Sequence, residues 1–225
     1  MTNFLIDFDW YVDDGGYELV PEKPPPEGER VHLLSGTPAH ILRCGGPLRR
    51  YRPLEIHHQL YIELAQADPT PEGCVEFASK FGYLGHSGRN DDHEDLVGPG
   101  GESPVLWIEN IKDLQNAVEL WKAGILEDGW ATRGEWKIAN IDAVMKPAPP
   151  DGALRIHFRP RSLIGAIHLQ LAQAATSGAD VGTCEHCGLW FEMGPNGRKR
   201  GAKTCSRMCQ IDMNNQKRKT KGASQ

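Results

Sequence analysis

No apolar run in the 225 residues approaches the roughly 18 needed to span a bilayer, and the early acidic residues Asp7, Asp9, Asp13 and Asp14 stand where a secretory signal would be basic. These absences predict a soluble, cytoplasmic protein. The chain also has no phosphate-cradling glycine loop, no Gly-x-Ser-x-Gly elbow, no His-Glu-x-x-His pair and no internal repeat. Nucleotide-cradle, acyl-transfer and metalloprotease chemistry therefore lack their usual sequence support. Cysteine is scarce: of six, Cys44 and Cys74 stand alone and the other four are grouped near the C-terminus, which suits a reducing compartment better than a disulfide framework.

The grouped cysteines carry the strongest signal. Cys184-Glu-His-Cys187 is one close pair and Cys205-Ser-Arg-Met-Cys209 another, with seventeen residues between them. Zinc takes four thiolate or imidazole ligands tetrahedrally in structural sites, and two close pairs at the ends of a short segment supply them. Cys184, Cys187, Cys205 and Cys209 are thus the expected ligands of one zinc ion. Gly188, directly after Cys187, allows the positive φ that turns a tight knuckle. Leu189 to Met193 reads as a strand, and Gly194-Pro195-Asn196-Gly197 as a reversal. Thr204 or Ser206 is placed to cap a helix expected to carry both Cys205 and Cys209 on one face.

In these residues, with Trp190, Phe191 and the basic run that follows, the segment resembles bacterial treble-clef zinc fingers, in particular CGNR-type fingers and the small zinc protein that inhibits DNA gyrase. The likeness covers about a fifth of the chain and departs from the CGNR pattern after Cys209, where Gln210-Ile211-Asp212 replaces Gly-Asn-Arg. The resemblance implies nucleic-acid binding, or docking on a nucleic-acid enzyme, without catalysis.

Charge is unevenly divided. From Cys184 onward nine Lys or Arg face three Asp or Glu, a balance of +6, whereas the preceding residues hold 16 basic against 27 acidic, a balance of −11. Such asymmetry predicts a polyanion-binding tail on an acidic body. On an ideal helix Asn214, Arg218 and Lys221 fall within about 40° of Arg207, while Cys205 and Cys209 lie about 160° away, so a zinc on one face leaves cations on the other. Arg198, Lys199, Arg200, Lys203, Arg207, Asn214, Lys217, Arg218 and Lys221 are the expected nucleic-acid contacts, mostly to phosphate.

The predicted architecture is α+β: a mixed body over 1–183 containing a small antiparallel sheet and several helices, then a zinc finger over 184–225. In the body, residues 4–12 read as a strand, and Tyr17 to Val20 as its hairpin partner across Asp14-Gly15-Gly16. Val31 to Leu34 and Ala39 to Arg43 are further short strands. Ile56, Leu60 and Leu64 mark one helix over about 54–67. Thr70-Pro71 starts another, striped by Val75, Ala78 and Phe81 and ended by Gly82. The glycine-rich acidic stretch 85–103 reads as a loop. Ile111, Leu114, Val118, Trp121 and Ile125 mark a third helix, entered through a strand or helical turn at 105–108. Lys146 to Gly152 is a Pro-rich connection, Leu154 to Phe158 a short strand, and Ser162 the cap of a long helix stopping near Gly178. Ala179 to Thr183 is then a plain link to the finger. A DNA-binding regulator is the leading expectation, with a protein-docking module as the alternative. An HNH-type nuclease needs a histidine near the hairpin, and residues 189–204 contain none, so no enzyme is expected.

Overall fold

The computed structural model describes residues 5–6, 8–21, 39–85, 101–124, 141–148 and 153–222. The expected strand at 31–34 and the acidic run 91–95 lie outside them. By mutual contacts the chain divides into two units. The first comprises Met1–His57, Ala67–Lys112 and Ile138–Leu169, and the second His58–Gln66, Asp113–Lys137 and Gln170–Gln225. Helices and small, mainly antiparallel sheets make up both, so the chain is α+β. Among the described residues no helix is long and apolar enough to cross a membrane.

In the first unit, β2 (Trp10–Asp13) pairs antiparallel with β5 (Leu48–Tyr51), and β3 (Tyr17–Pro21) with β4 (Ala39–Arg43). The expected hairpin between 10–13 and 17–20 therefore does not form. The two pairings are instead successive stretches of one long ribbon, 10–21 against 39–51, whose register shifts by one residue where 14–16 face 44–47. Asp13 explains the interruption. Its buried carboxylate accepts from the N–H groups of Gly15 (2.7 Å) and Gly45 (3.2 Å) and from Arg43 Nε (2.8 Å), fastening both strands at the irregular point. Burial by itself pushes the Asp13 carboxyl up, but these donors hold it below the usual carboxylate range.

β6 (Ile141–Ala148) and β7 (Ala153–Pro160) form a hairpin, and β1 (Leu5–Ile6) runs parallel to β7. The Pro-rich stretch expected as a connection thus begins inside a strand, through Pro147. An edge strand admits proline because only one of its sides must pair, and β6 is an edge in the order β1-β7-β6.

The helix expected over 54–67 is two: α1 (Pro53–Ile56) and α2 (Leu60–Ala65). His57 leaves helical geometry at φ −117° and ψ 88°. Ile56 is 61 % exposed whereas Leu60 and Leu64 are fully buried, so the four-residue spacing does not mark one continuous buried stripe. α3 (Pro71–Phe81) starts as expected, with Thr70 Oγ1 accepting from Gly73 N–H at 3.2 Å. It ends at Gly82, whose φ of +88° brings it against the Trp10 indole and excludes a side chain. Its buried face is Cys74, Phe77, Ala78 and Phe81, with Val75 on the margin. Burial pushes the Cys74 thiol up to about 12, fitting a packed side chain.

α4 (Pro104–Lys122) is one helix from its first turn, with Trp107, Ile111, Leu114 and Val118 on its buried face. Just before it, Glu102 accepts from the N–H groups of Leu84 (2.9 Å) and Gly85 (2.6 Å) and from Trp107 Nε1 (2.8 Å), all in the first unit. A buried carboxylate met by three donors is a local fastener, since each donor would otherwise lack a partner. α5 (Leu163–Thr176) begins with Ser162 Oγ accepting from Gly165 N–H at 3.1 Å, and the chain turns off at Gly178 with φ +75°.

Candidate metal centre

The segment expected as a plain link into the cysteine region is β8 (Asp180–Thr183), which pairs along its length with β9 (Trp190–Met193). Together they form a hairpin whose connection is the first cysteine pair. Cys184 N–H donates to Leu189 O and Gly188 N–H to Cys184 O, both at 2.9 Å. Gly188 sits at φ +76°, the left-handed turn foreseen for it. β9 ends in a reversal at 194–197, where Gly197 N–H donates to Gly194 O at 3.3 Å and Arg198 N–H to Glu192 O at 2.8 Å. The chain returns to the knuckle through Glu185 N–H to Lys203 O at 2.9 Å. Ser206 Oγ then accepts from Cys209 N–H at 3.2 Å and starts α6 (Arg207–Gly222).

Ser206, not Thr204, is therefore the cap. Cys205 precedes the helix rather than riding on it, because a residue before the N-cap has left the helical path. Only Cys209 lies in the first turn. The sulfurs meet nonetheless: Cys187 Sγ and Cys205 Sγ are 3.6 Å apart, Cys205 Sγ and Cys209 Sγ 3.5 Å, and all four Sγ atoms lie within 4.8 Å of one another. A Zn–S bond of about 2.3 Å implies a tetrahedron edge of about 3.8 Å. The four thiols can hold a metal ion at that spacing after small adjustment.

Electrostatics at the cluster follows the same lines. Burial pushes the Cys184 thiol up, but N–H groups of Cys187, Cys205 and His186 point at its sulfur and bring it down to about 6. One anion is thereby favoured. At Cys187 the Leu189 N–H pulls down, yet burial and the Cys184 sulfur prevail and raise it. Burial, with the neighbouring sulfurs, pushes Cys205 up to about 12. Four adjacent thiols cannot all ionise unaided, and a divalent cation is what compensates the charge.

Comparison with protein-family models, with curated proteins and with solved structures finds no match. The centre is therefore described by its own geometry.

Of the expected polyanion contacts, those before α6 are partly engaged. Lys203 Nζ pairs with Glu185 at 3.0 Å, and Arg200 lies 3.9 Å from Asp180 while donating to Gly178 O. Arg198 is half-buried, with Nε enclosed and lacking a hydrogen-bond partner. Lys199 is exposed, as are Arg207, Asn214, Lys217 and Arg218 on α6. The Lys221 side chain lies outside the described residues.

Within the second unit the outer edge of β9 is covered by glutamines, which the sequence reading did not single out. Gln66 accepts from Trp190 N–H at 2.6 Å and donates to Trp190 O at 3.4 Å, while Gln59 accepts from Glu192 N–H at 3.3 Å. These side-chain amides take the place of a neighbouring strand and satisfy an otherwise open edge. Beside them Tyr61 Oη donates to Glu192 Oε2 at 2.7 Å, and Glu192 Oε1 is buried without a partner. Burial raises the Glu192 carboxyl, against the lowering influence of Tyr61 and His58. A raised folded-state value favours the protonated form, so this stabilisation is complete below the unfolded value of 4.5 and is lost as pH rises through the folded value. Glu192→Gln, neutral throughout, is expected to gain melting temperature relative to wild type as pH rises from 4.5 toward neutrality. Thermal melts of both proteins across that range check the sign; a variant that loses melting temperature relative to wild type as pH rises contradicts it.

Proposed function

We propose that the four cysteines bind one zinc ion in a treble-clef-like finger, and that the finger's terminal helix grips nucleic acid, DNA in the first instance. The observation supporting the grip is the uncovered cationic stretch of α6. From Asn214 to Thr220 every side chain is exposed, and among the described residues Arg207, Lys217, Arg218 and Lys219 have no carboxylate within ion-pair distance. Unpaired cations on an exposed helix anchored at its N-terminus by a metal can meet phosphates without first breaking an internal salt bridge. In this reading the protein is a regulator that binds rather than catalyses.

A second reading has a specific support. Met208 is 66 % and Ile211 42 % exposed on the same helix, three residues apart, and Ile211 lies about 40° from Arg207. Exposed apolar groups amid cations suit a protein partner with an acidic, apolar surface. The deciding experiment titrates zinc-loaded full-length protein against labelled duplex and single-stranded DNA at low salt, with and without prior chelation. Binding that disappears on zinc removal is the expected result; no binding to either DNA transfers the helix to the docking reading.

A further inference from the structure

The outer face of α6 is not uniformly polar. Within Arg207–Thr220 only Cys209 and Met213 are not exposed. At about 100° per residue from Arg207 they lie near 200° and 240°, so the face opposite them is centred near 40°. Ile211 occupies that centre and is 42 % exposed. The one carboxylate of the helix, Asp212, is turned about 100° from it, toward the knuckle, and lies 3.8 Å from His186 Nε2. A lone exposed isoleucine is ordinary. This one is framed on its own face by Arg207 one turn before, Asn214 one turn after and Arg218 two turns after, all exposed.

Phosphates alone have no use for a branched alkyl group between cations. The major groove of B-DNA does: it admits an α-helix, is about 12 Å wide, and presents the thymine C5-methyl as its apolar feature. Arg207 and Arg218 stand about 16 Å apart along the helix axis, so a helix seated there can set its outer cations on the flanking backbones and its middle on base edges. Ile211 and Asn214 are about 4.5 Å apart along that axis, near the base-pair step of about 3.4 Å, and therefore meet the same or neighbouring pairs. An amide bonding adenine N6 and N7 and an alkyl group on a thymine methyl both select A·T pairs. Duplex RNA fits poorly, because its major groove is too narrow for side chains to read and uracil lacks the methyl.

We propose that α6 enters the major groove of duplex DNA and selects A·T pairs, with Ile211 packed on a thymine methyl and Asn214 on an adenine edge. The proposal rests on the nucleic-acid reading and names its substrate. It gives a base-reading role to Ile211, which is not among the contacts expected from charge, and leaves the phosphate grip to the cations around it.

The test titrates zinc-loaded full-length protein against three labelled duplexes of equal length: alternating dA-dT, the same duplex with deoxyuridine for thymidine, and alternating dG-dC. Deoxyuridine lacks only the C5-methyl. The dA-dT duplex is expected to bind about fourfold tighter than the deoxyuridine duplex, the worth of burying one methyl group. The deoxyuridine duplex should in turn bind about fivefold or more tighter than dG-dC, through Asn214. Ile211→Ala, at an exposed position where alanine favours the helix, is expected to erase the thymine preference while zinc content and the salt slope stay unchanged. Asn214→Ala should erase the second preference and keep the first. Equal wild-type affinity for the thymidine and deoxyuridine duplexes, or a thymine preference that survives Ile211→Ala, overturns the inference and leaves the phosphate grip standing. A change in zinc content or salt slope with Ile211→Ala makes that residue structural and overturns its base-reading role. No binding to any duplex overturns both this inference and the DNA reading beneath it.

Discussion

Replacing Cys184 by Ser is expected to take bound zinc from one per chain to near zero and to unravel the segment from the knuckle to α6. Cys184 is the most buried of the four sulfurs and the one toward which the N–H groups of three residues converge, so a hydroxyl there forfeits both the bond to the metal and the pre-set anion. Structural zinc contributes about 10–16 kcal/mol in small finger peptides at neutral pH, which far exceeds what so short a segment can replace by apolar burial. The loss of affinity should exceed the roughly 10–100-fold that follows removal of a supporting contact alone. Elemental analysis of protein purified without chelator measures the metal. Limited proteolysis across 194–222 reads the local unfolding. Cys74→Ala supplies the contrast, because that thiol is buried in α3 of the first unit and should leave zinc untouched. Full zinc retention by the Cys184 variant would refute the four-thiolate centre.

The second large effect is electrostatic. If Arg207, Lys217, Arg218 and Lys219 meet about four phosphates of duplex DNA, log affinity should fall against log salt with a slope of about −3 to −4, roughly a hundredfold between 50 and 200 mM. Changing Lys217, Arg218 and Lys219 together to Ala should flatten the slope to about −1 and weaken every sequence alike, with zinc retained. These side chains are exposed and unpaired among the described residues, so their removal should not disturb the fold. Asn214→Ala is expected to alter preference among sequences more than salt dependence, as an amide that reaches a base edge would. Anisotropy titrations at three salt concentrations suffice. A triple variant that binds as tightly as wild type at every salt concentration would remove the grip from α6.

What could be read in the sequence was local. The two cysteine pairs, the positive-φ glycine after Cys187, the Thr70 and Ser162 caps and the stops at Gly82 and Gly178 each depend on residues within a turn or two, where geometry follows from side-chain chemistry. Even at this range one feature misled. Four-residue spacing places Cys205 and Cys209 on a common helical face, but Ser206 takes the Cys209 amide and starts the helix at Arg207, two residues too late to include Cys205. Spacing records which residues can meet, whereas the cap decides by which backbone path they do.

The tertiary structure decided the pairings made across long stretches of chain. Tyr17 pairs with Arg43 rather than folding back on 10–13, because the Asp13 carboxylate fastens two strands whose partners are about thirty residues away. Strand β9 is covered by Gln59, Tyr61 and Gln66, from 124 to 133 residues earlier. No periodicity announces such contacts: a glutamine on a short helix has the same sequence appearance whether it faces solvent or completes the edge of a distant strand. The cysteines and cations were legible because metal ligands cluster in sequence and charge is additive. The cover of β9 by Gln59 and Gln66 was not, because both residues owe their place to α2, and the spacing of its apolar residues does not record which strand it lies against.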